Sequence, residues 1–274
     1  MISLIRAVIS GIRSIEVDMS NEYEWSQVGS ILVIDPIEEW AARGARFISA
    51  QLVNALALRQ RASLALPGGG TPVPVFCALA NAHEQALDWS RVDVFLGDER
   101  CVNPDHPDSN ARNIRRELLD AFTKNKPVLH LPDGIASDPD AAAARYAELV
   151  PDQIDVLVGG MGPDGHTASL FPGAIGSVEP GPRVVAIHDS PKPPPQRITL
   201  SAHAHMSARN SLMLVRGADK AAAVSRALLN SWEPAACPAQ LLRNGRWLLD
   251  EAAASELEAR VLEEYAPTEI EEGN

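Results

Sequence analysis

Short apolar segments alternate with longer amphipathic segments along the chain. The short segments are rich in β-branched residues and stop at glycine, proline or charged residues, a pattern typical of buried parallel strands. The longer segments repeat apolar residues three and four positions apart, as helices that cover a sheet do. The predicted strands are 31–34, 63–66, 92–96, 128–131, 155–158, 184–188, 198–200, 212–215 and 247–249. The first predicted helix begins at Pro36, with Asp35 as its N-cap. The other predicted helices are 72–87, 109–122, 139–149, 218–229 and 251–265.

Strands that alternate with helices predict an α/β fold in which helices cover a mostly parallel sheet. The last strands follow one another closely, so we expect part of the sheet to be antiparallel or to carry a small subdomain. We predict a single domain over residues 29–274. Residues 1–28 are expected to form a poorly ordered N-terminal extension, with Met19 as an alternative start.

The segment 154–173, IDVLVGGMGPDGHTASLFPG, places a histidine in a turn directly after a predicted strand. Ligands of open α/β sheets bind beyond the carboxyl ends of the strands, so His166 is a candidate general base. Asp164 and the surrounding glycines favour this interpretation over an incidental histidine at a helix start. Residues 160–165 also match G-x-G-x-x-G, but Pro172 would end the long helix that a dinucleotide site requires. We therefore expect these glycines to make room for a smaller ligand.

A glycine-rich turn, residues 67–72, separates a predicted strand from the next helix. Gly69 and Gly70 would let backbone N–H groups approach an anion, Thr71 adds a hydroxyl, and the helix N-terminus favours negative charge. The turn lacks the Gly-Lys-Ser/Thr ending of a nucleotide-binding loop, so a sugar phosphate fits it better than ATP. The alternative is a tight turn that binds nothing.

A polar cluster follows the predicted strand 92–96. Asp98, Glu99 and Arg100 come directly after it, and Asn110 lies at the next helix start. Two carboxylates and a guanidinium at this edge of a sheet suit substrate hydroxyls and charge that develops during a reaction. A surface turn with a local Asp–Arg pair is the alternative.

Two basic residues near other strand ends are candidate phosphate clamps. Arg197 follows the proline-rich segment 190–196, whose stiffness would aim it, although such a segment could also bind another protein. Lys220 lies at the start of a helix after the predicted strand 212–215.

Charge and composition exclude several classes of protein. The net charge of −12 opposes binding to nucleic acid or anionic membranes, and no segment reaches 18 consecutive apolar residues. A phosphorylated substrate would require a few cations gathered in one cleft. Three cysteines, Cys77, Cys101 and Cys237, lie too far apart for a disulfide framework or a zinc site, which favours a reduced cytoplasm.

These motifs resemble the 6-phosphogluconolactonases, relatives of the glucosamine-6-phosphate deaminases. Four segments carry the resemblance: GDERCVNPDHPDSN (97–110), GMGPDGHTASLFPG (160–173), SPKPPPQRITL (190–200) and WLLDEAAA (247–254). It implies a three-layer α/β/α domain with a mostly parallel, Rossmann-like sheet. The implied reaction is hydrolysis of 6-phospho-D-glucono-1,5-lactone to 6-phospho-D-gluconate in the oxidative pentose phosphate pathway, with no metal or organic cofactor.

The resemblance also implies roles for individual residues. His166 would be the general base and Arg100 a substrate-site cation. The implied phosphate site comprises Gly69, Gly70, Thr71, Arg197 and Lys220. Other candidates from the motifs are Asp164 or Asp98, to orient the histidine or the water, and Glu99, Asn110 and Gly162, to contact substrate. The expected partner is a small phosphorylated sugar lactone, and the expected state is a monomer or a weak homo-oligomer.

Two alternatives remain. A deaminase or isomerase would resemble this chain in fold but typically carries a glutamate five residues after the motif histidine, where this chain has Phe171, and a tyrosine in place of Arg100. A non-catalytic sugar-phosphate sensor would require a basic helix-turn-helix segment, which this acidic chain does not provide.

The glycine turn departs from the pattern of the family, whose members often carry serines at the positions of Pro67 and Gly70.

Overall fold

The computed structural model describes residues 8–9, 12–15, 29–83 and 86–264. Its strands are β1 (Val8–Ile9), β2 (Ile12–Ile15), β3 (Ile31–Ile34), β4 (Ala62–Leu66), β5 (Val92–Leu96), β6 (Asp98–Arg100), β7 (Val128–Leu129), β8 (Val156–Gly160), β9 (Val184–Ile187), β10 (Arg197–Leu200), β11 (Ser211–Val215) and β12 (Arg246–Leu249). Its helices are α1 (Ile37–Leu58), α2 (Val73–His83), α3 (Asn110–Glu117), α4 (Pro139–Leu149), α5 (Ala202–Ser207), α6 (Ala221–Leu229) and α7 (Glu251–Glu264).

Seven strands form a parallel sheet in the order β3-β12-β11-β8-β4-β5-β7. Alternate residues of these strands enter two separate apolar cores, as the two-residue period of a strand requires. Leu64 and Val158 face the core shared with α1 and α2, whereas Ala65 and Leu157 face the core shared with α4, α6 and α7. The predicted fold, a mostly parallel sheet between two helical layers, is confirmed.

The order of the strands reverses between β4 and β8. From β4 the chain continues outward to β5 and β7, and it then returns to β8 on the other side of β4 and continues to β11 and β12. Such a switch point leaves a crevice beyond the carboxyl ends of the two central strands, where open α/β sheets bind their ligands.

A second, smaller sheet lies at the carboxyl edge of the first. It consists of β6, β10 and β9, all antiparallel, with Arg197 opposite Arg100 and Thr199 opposite Asp98. This is the antiparallel part that the close spacing of the late strands predicted. The strand β6 was not predicted, because three polar residues, Asp98, Glu99 and Arg100, carry no apolar alternation.

Several predicted boundaries were wrong by a few residues. Pro36, not Asp35, is the N-cap of α1, because Pro36 has an extended backbone and helical residues begin at Ile37. The helix predicted over 109–122 ends at Glu117 and continues as a 3₁₀ turn, and the helix predicted from residue 218 begins as a 3₁₀ turn. The short α5 was not predicted.

Only part of the N-terminal extension is described. Residues 8–9 and 12–15 form β1 and β2, and β2 pairs antiparallel with β3 at the sheet edge. The rest of residues 1–28, Met19 included, lies outside the described residues, so the expectation of poor order stays a prediction. Within the described part of the chain, no helix has the length and apolar character needed to cross a membrane.

One buried carboxylate joins the amino ends of β4 and β8. Asp155, 4% exposed, accepts hydrogen bonds from the backbone N–H and the hydroxyl of Ser63, at 2.9 and 3.1 Å. Its other oxygen lies against the guanidinium groups of Arg59 and Arg209. The two strands that flank the crevice are therefore held together at the opposite end of the sheet by charge-assisted hydrogen bonds.

We predict that Asp155→Asn lowers the free energy of unfolding by about 1–3 kcal/mol, because two arginines lose their carboxylate partner. Urea denaturation measures this, and kcat should stay unchanged because the residue is remote from the crevice. The control is Asp152→Asn, whose side chain pairs with Arg183 but is 90% exposed, so its cost should stay below about 0.5 kcal/mol. Equal stability of the two variants would contradict the role of Asp155 in joining the strands.

Candidate active site

His166 and Asp164 form a hydrogen-bonded pair in the loop after β8. The ring Nδ1 lies 2.5 Å from Asp164 Oδ1. A carboxylate oxygen can only accept, so Nδ1 carries the proton and Nε2 is left as the unprotonated nitrogen. Among the residues that the structure describes, Nε2 makes no hydrogen bond. The pair therefore presents a free basic nitrogen at the carboxyl edge of the sheet.

The surroundings of His166 keep its imidazole neutral. Burial lowers the pKa of His166, Asp164 opposes this, and the charge of Lys192 lowers it further, so the net shift is downward. Burial alone would raise the pKa of Asp164, but His166 and Lys192 bring it below its usual value. A carboxylate beside a neutral imidazole is the arrangement that general-base catalysis at neutral pH requires.

Lys192 was not among the predicted site residues, although it lies in the motif 190–200. Its Nζ is 3.2 Å from Nδ1 of His166 and 3.7 Å from Oδ2 of Asp164. The sequence offered only a lysine in a stiff, proline-rich loop. Its approach to His166, 26 residues away, depends on how that loop folds back.

Arg197 holds this loop in place. The residue is 4% exposed, and its guanidinium donates to the backbone oxygens of Lys192 at 2.9 Å, Pro193 at 3.2 Å and Pro194 at 3.1 Å. It also lies 3.7 Å from a carboxylate oxygen of Asp98, and burial lowers its pKa from the ordinary arginine value. Arg197 thus positions the backbone that carries Lys192, and its predicted phosphate contact stays a prediction.

The apolar ring of Phe171 packs against His166, Lys192 and Arg197. Its ring centre is 4.8 Å from that of His166 and 5.9 Å from both the Lys192 ammonium and the Arg197 guanidinium. A phenyl ring has no proton to exchange, so this position can shield the imidazole and hold cations but cannot take part in proton transfer.

Asp98 connects the small sheet to the histidine loop. Its buried carboxylate accepts from Ser169 Oγ at 2.6 Å and from the amide of Asn110 at 3.1 Å. Of the two carboxylates predicted to orient His166, Asp164 makes the contact, whereas the hydrogen bonds of Asp98 go to these neighbours.

Glu99 caps the helix α3. Its carboxylate is buried and accepts from the backbone N–H groups of Asn110 and Ala111, both at 2.8 Å, and from the hydroxyl of Ser109 at 2.9 Å. Burial raises the pKa of Glu99, and these hydrogen bonds counter the rise. These hydrogen bonds hold the start of α3, and the predicted substrate contact of Glu99 stays a prediction.

Arg100 and Asn110 have polar atoms that find no partner within the described chain. Arg100 donates to the backbone oxygen of Asp108, while its buried Nε is unpaired. The side-chain oxygen of Asn110 is also buried and unpaired, and a Cβ on Gly68 would lie 1.9 Å from it. Buried polar atoms are normally hydrogen-bonded, and both atoms are enclosed by protein, so their predicted substrate contacts stay predictions.

The glycine turn after β4 faces open space. Gly69 has φ +83°, a conformation that side chains rarely adopt, and a Cβ on Gly69 or Gly70 would meet no described heavy atom within 4 Å. Thr71 follows, and α2 begins at Val73, whose N–H donates to the backbone oxygen of Gly70 at 3.2 Å. The turn therefore leaves room for a small ligand beside the start of a helix.

Lys220 lies in the 3₁₀ turn between β11 and α6. Its Nζ is 2.7 Å from Asp219, and the side chain is mostly buried.

The loops that carry the predicted site residues follow four strands, β5, β4, β8 and β11, which are consecutive in the sheet. The topology thus brings all the predicted site residues to one edge, Lys220 on the β11 side and Arg100 on the β5 side.

The fold is that of an α/β enzyme, with a histidine–carboxylate pair and an open glycine turn at the switch point of a parallel sheet. Residues 36–249 match the family model described as glucosamine-6-phosphate isomerases/6-phosphogluconolactonase, and the chain belongs to that family.

Similarity to individual proteins agrees with this assignment. The chain is 41% identical over 234 residues to a 6-phosphogluconolactonase of Streptomyces coelicolor, covering 79% of this chain and 89% of that protein. A crystal structure of a 6-phosphogluconolactonase from Shewanella baltica superposes with a TM-score of 0.73 at 30% identity, over 83% of this chain and 99% of the other. A monomeric glucosamine-6-phosphate deaminase, with a TM-score of 0.71 at 23% identity over 82% and 99%, shares the fold.

We predict that Gly162→Ala abolishes most of the activity without unfolding the protein. The added Cβ would lie 2.0 Å from Cε1 of His166 and 2.5 Å from Asp164 Oδ1, so the pair would have to move, and kcat should fall about 100-fold or more. Steady-state kinetics and thermal melting measure the two effects. Gly181→Ala, where the nearest atom is 3.7 Å away, should leave kcat unchanged. Wild-type kcat in the Gly162 variant would show that the pair tolerates displacement.

Proposed function

We propose that this chain hydrolyses 6-phospho-D-glucono-1,5-lactone to 6-phospho-D-gluconate, with His166 as the general base. The observation that carries the proposal is the His166 imidazole, 2.5 Å from Asp164, at the switch point that also carries an open glycine turn. The lactonase activity predicted from the motifs agrees with the names of the relatives. The role of His166 rests on geometry and stays a proposal.

In the proposed mechanism, Nε2 of His166 takes a proton from a water molecule as its oxygen attacks C1 of the lactone. Asp164 stabilises the imidazolium that forms. The tetrahedral intermediate collapses by breaking the bond between C1 and the ring oxygen, which receives the proton back from His166. The products are a carboxylic acid, which ionises, and a free hydroxyl. A lactone is an activated ester, so no covalent nucleophile is required.

Arg100 is the proposed stabiliser of the oxyanion on C1, together with backbone N–H groups. Support comes from its position at the end of β6, which pairs with β10 at the carboxyl edge of the large sheet. A cation at this position would stabilise the negative charge that develops in the transition state more than the neutral ground state.

The phosphate of the substrate is proposed to bind at Gly69, Gly70 and Thr71, with Arg197 and Lys220 as cations. The open space above the glycines and the N-terminus of α2 support this location.

We further propose that the enzyme acts in the cytoplasm as a monomer or weak homo-oligomer and binds no nucleic acid. The net charge of −12 supports the latter, and three free thiols agree with a reducing compartment.

An assay that generates the lactone in place, by oxidation of glucose 6-phosphate, tests the function. Acceleration of 6-phosphogluconate formation above the spontaneous rate is the expected result. The deaminase alternative predicts ammonia release from glucosamine 6-phosphate, which we do not expect because Phe171 has no proton to transfer. Tight binding of sugar phosphate without turnover of either compound would instead support the sensor alternative.

We predict that His166→Ala lowers kcat by about 10²–10⁴-fold, the usual contribution of a general base. KM should change little, because the phosphate contacts lie elsewhere. Steady-state kinetics at pH 7 decide this, with His188→Ala as the matched control, since His188 is a half-exposed histidine paired with Asp140. Retention of wild-type kcat by the His166 variant would remove this residue from the mechanism.

We predict that Lys192→Met moves the acidic limb of the kcat/KM profile to higher pH. The lysine charge disfavours protonation of His166, so its removal raises the pKa of the imidazole, and the base is lost at a higher pH than in the wild type. A pH–rate profile reports this pKa for the free enzyme. Lys126→Met, at an exposed position, should leave the limb in place. A limb that stays or moves to lower pH in the Lys192 variant would refute the electrostatic role.

A further inference from the structure

Ser169 lies in the histidine loop, three residues after His166, and is fully buried. Its hydroxyl donates to Oδ2 of Asp98 at 2.6 Å and accepts from Nη1 of Arg197 at 3.4 Å. The guanidinium and the carboxylate themselves are 3.7 Å apart, beyond hydrogen-bond distance. Because a hydroxyl can donate and accept at the same time, Ser169 links the two charges of this buried pair.

Arg197 extends this link to the proline-rich loop 190–196. Its Nε and Nη2 donate to the backbone oxygens of residues 192–194. From that loop, Lys192 places its Nζ 3.2 Å from Nδ1 of His166. A closed path of contacts therefore leaves the histidine loop through Ser169 and Arg197 and returns to it through Lys192.

The contact between His166 and Asp164 depends on other hydrogen bonds. Both residues lie in one tight turn, in which the N–H of Gly162 donates to the backbone oxygen of His166 at 3.0 Å. The hydroxyl of Ser169 takes no part in this turn. Its loss would therefore displace the loop that carries Lys192 more than it displaces the histidine–carboxylate pair.

Charged side chains approach His166 from several elements. They are Asp164 in its own turn, Lys192 in the proline-rich loop, Asp98 on β6, Arg197 across the ring of Phe171, and Arg226 of α6, which donates to the backbone oxygen of Pro163. Lys192 is a cation in contact with the ring, and its charge lowers the pKa of His166. The pKa of the imidazole therefore reports where Lys192 lies.

We propose that Ser169 is a positioning residue of the active site, whose hydroxyl joins Asp98 to Arg197 and so holds Lys192 beside the general base. This inference deepens the proposed function and rests on it for the role of His166. A serine hydroxyl carries no net charge and does not touch the imidazole, so its removal acts on the base through the charged groups that it positions.

The test compares the pH profiles of kcat/KM for Ser169→Ala, Lys192→Met and the double variant. Ser169→Ala should move the acidic limb to higher pH, by no more than Lys192→Met does, because a displaced lysine opposes protonation of His166 less. In the double variant the loss of Ser169 should add no further shift, since the lysine charge is already absent. An unchanged limb, a shift to lower pH, or a shift that persists in the Lys192→Met background would overturn the proposal.

The matched control is Ser63→Ala. Ser63 is also a buried serine whose hydroxyl donates to a buried carboxylate, that of Asp155 at 3.1 Å, but it lies at the opposite edge of the sheet. Both variants should lower the melting temperature, because each loses a buried hydrogen bond, but Ser63→Ala should leave the acidic limb in place. Equal movement of the limb in both variants would show a general effect of lost stability and contradict the role of Ser169.

A second variant covers the case in which Ser169→Ala does not fold. Ser169→Cys keeps a side chain of similar shape, but a thiol donates and accepts only weakly. It should move the limb in the same direction, and an unchanged limb in this variant has the same meaning as in Ser169→Ala.

A failure of the proposed function is distinguishable from a failure of this inference. If the wild type does not hydrolyse the phosphorylated lactone, the activity is wrong, but the pKa of His166 can still be measured by NMR titration, with its ring resonance assigned by its absence in His166→Ala. Ser169→Ala should raise this pKa, and Ser63→Ala should not. The same pKa in the wild type and in Ser169→Ala would overturn the positioning role, whatever the activity of the protein.

Discussion

The pairing of β4 with β8 is the constraint on which the site depends. These strands are 92 residues apart at Ser63 and Asp155, and no local preference brings them together. Their amino ends are joined by the buried carboxylate of Asp155, and their bodies are buried on both faces by the two cores. Because the strand order reverses here, the loops that leave the carboxyl ends diverge and open a crevice. The glycine turn and the histidine loop face one another only as long as this pair remains in register.

Much of this arrangement could be predicted from the sequence. The seven parallel strands were found because strands buried on both faces read as short β-branched runs, and His166 and the glycine turn were placed because polar residues follow those runs directly. The strand β6 and the helix α5 were missed. Both are short, and their formation depends on pairing or packing with distant segments and not on local periodicity.

The side-chain contacts of the site were less predictable than its location. Lys192 and Ser169 contact the predicted residues, yet a lysine in a proline-rich loop and a serine carry no signal of their own. Phe171 was singled out by the contrast with the deaminases, but its contact with His166 was not predicted. Glu99 was predicted as a substrate contact, and its role in capping α3 was not predicted from the sequence. That role depends on how the loop between Glu99 and Asn110, 11 positions apart, folds back. The spacing of the motifs shows where the reactive residues lie along the chain. The hydrogen-bond partner of each polar atom can be assigned only once the folded loops are known.

The charges around His166 connect its basicity to the binding of phosphate. Asp164 orients the ring and stabilises the imidazolium, but by itself it would raise the pKa and leave the base partly protonated. Burial and Lys192 counter this effect. A bound phosphate dianion would again raise the pKa of the imidazole through its charge. In the proposed site, cations around the phosphate would oppose that shift in the pKa of His166, so the residues that hold the substrate would also help to keep the imidazole unprotonated. A site of this kind needs more positive charge than binding alone requires, which accounts for several cations collected at one edge of an acidic protein.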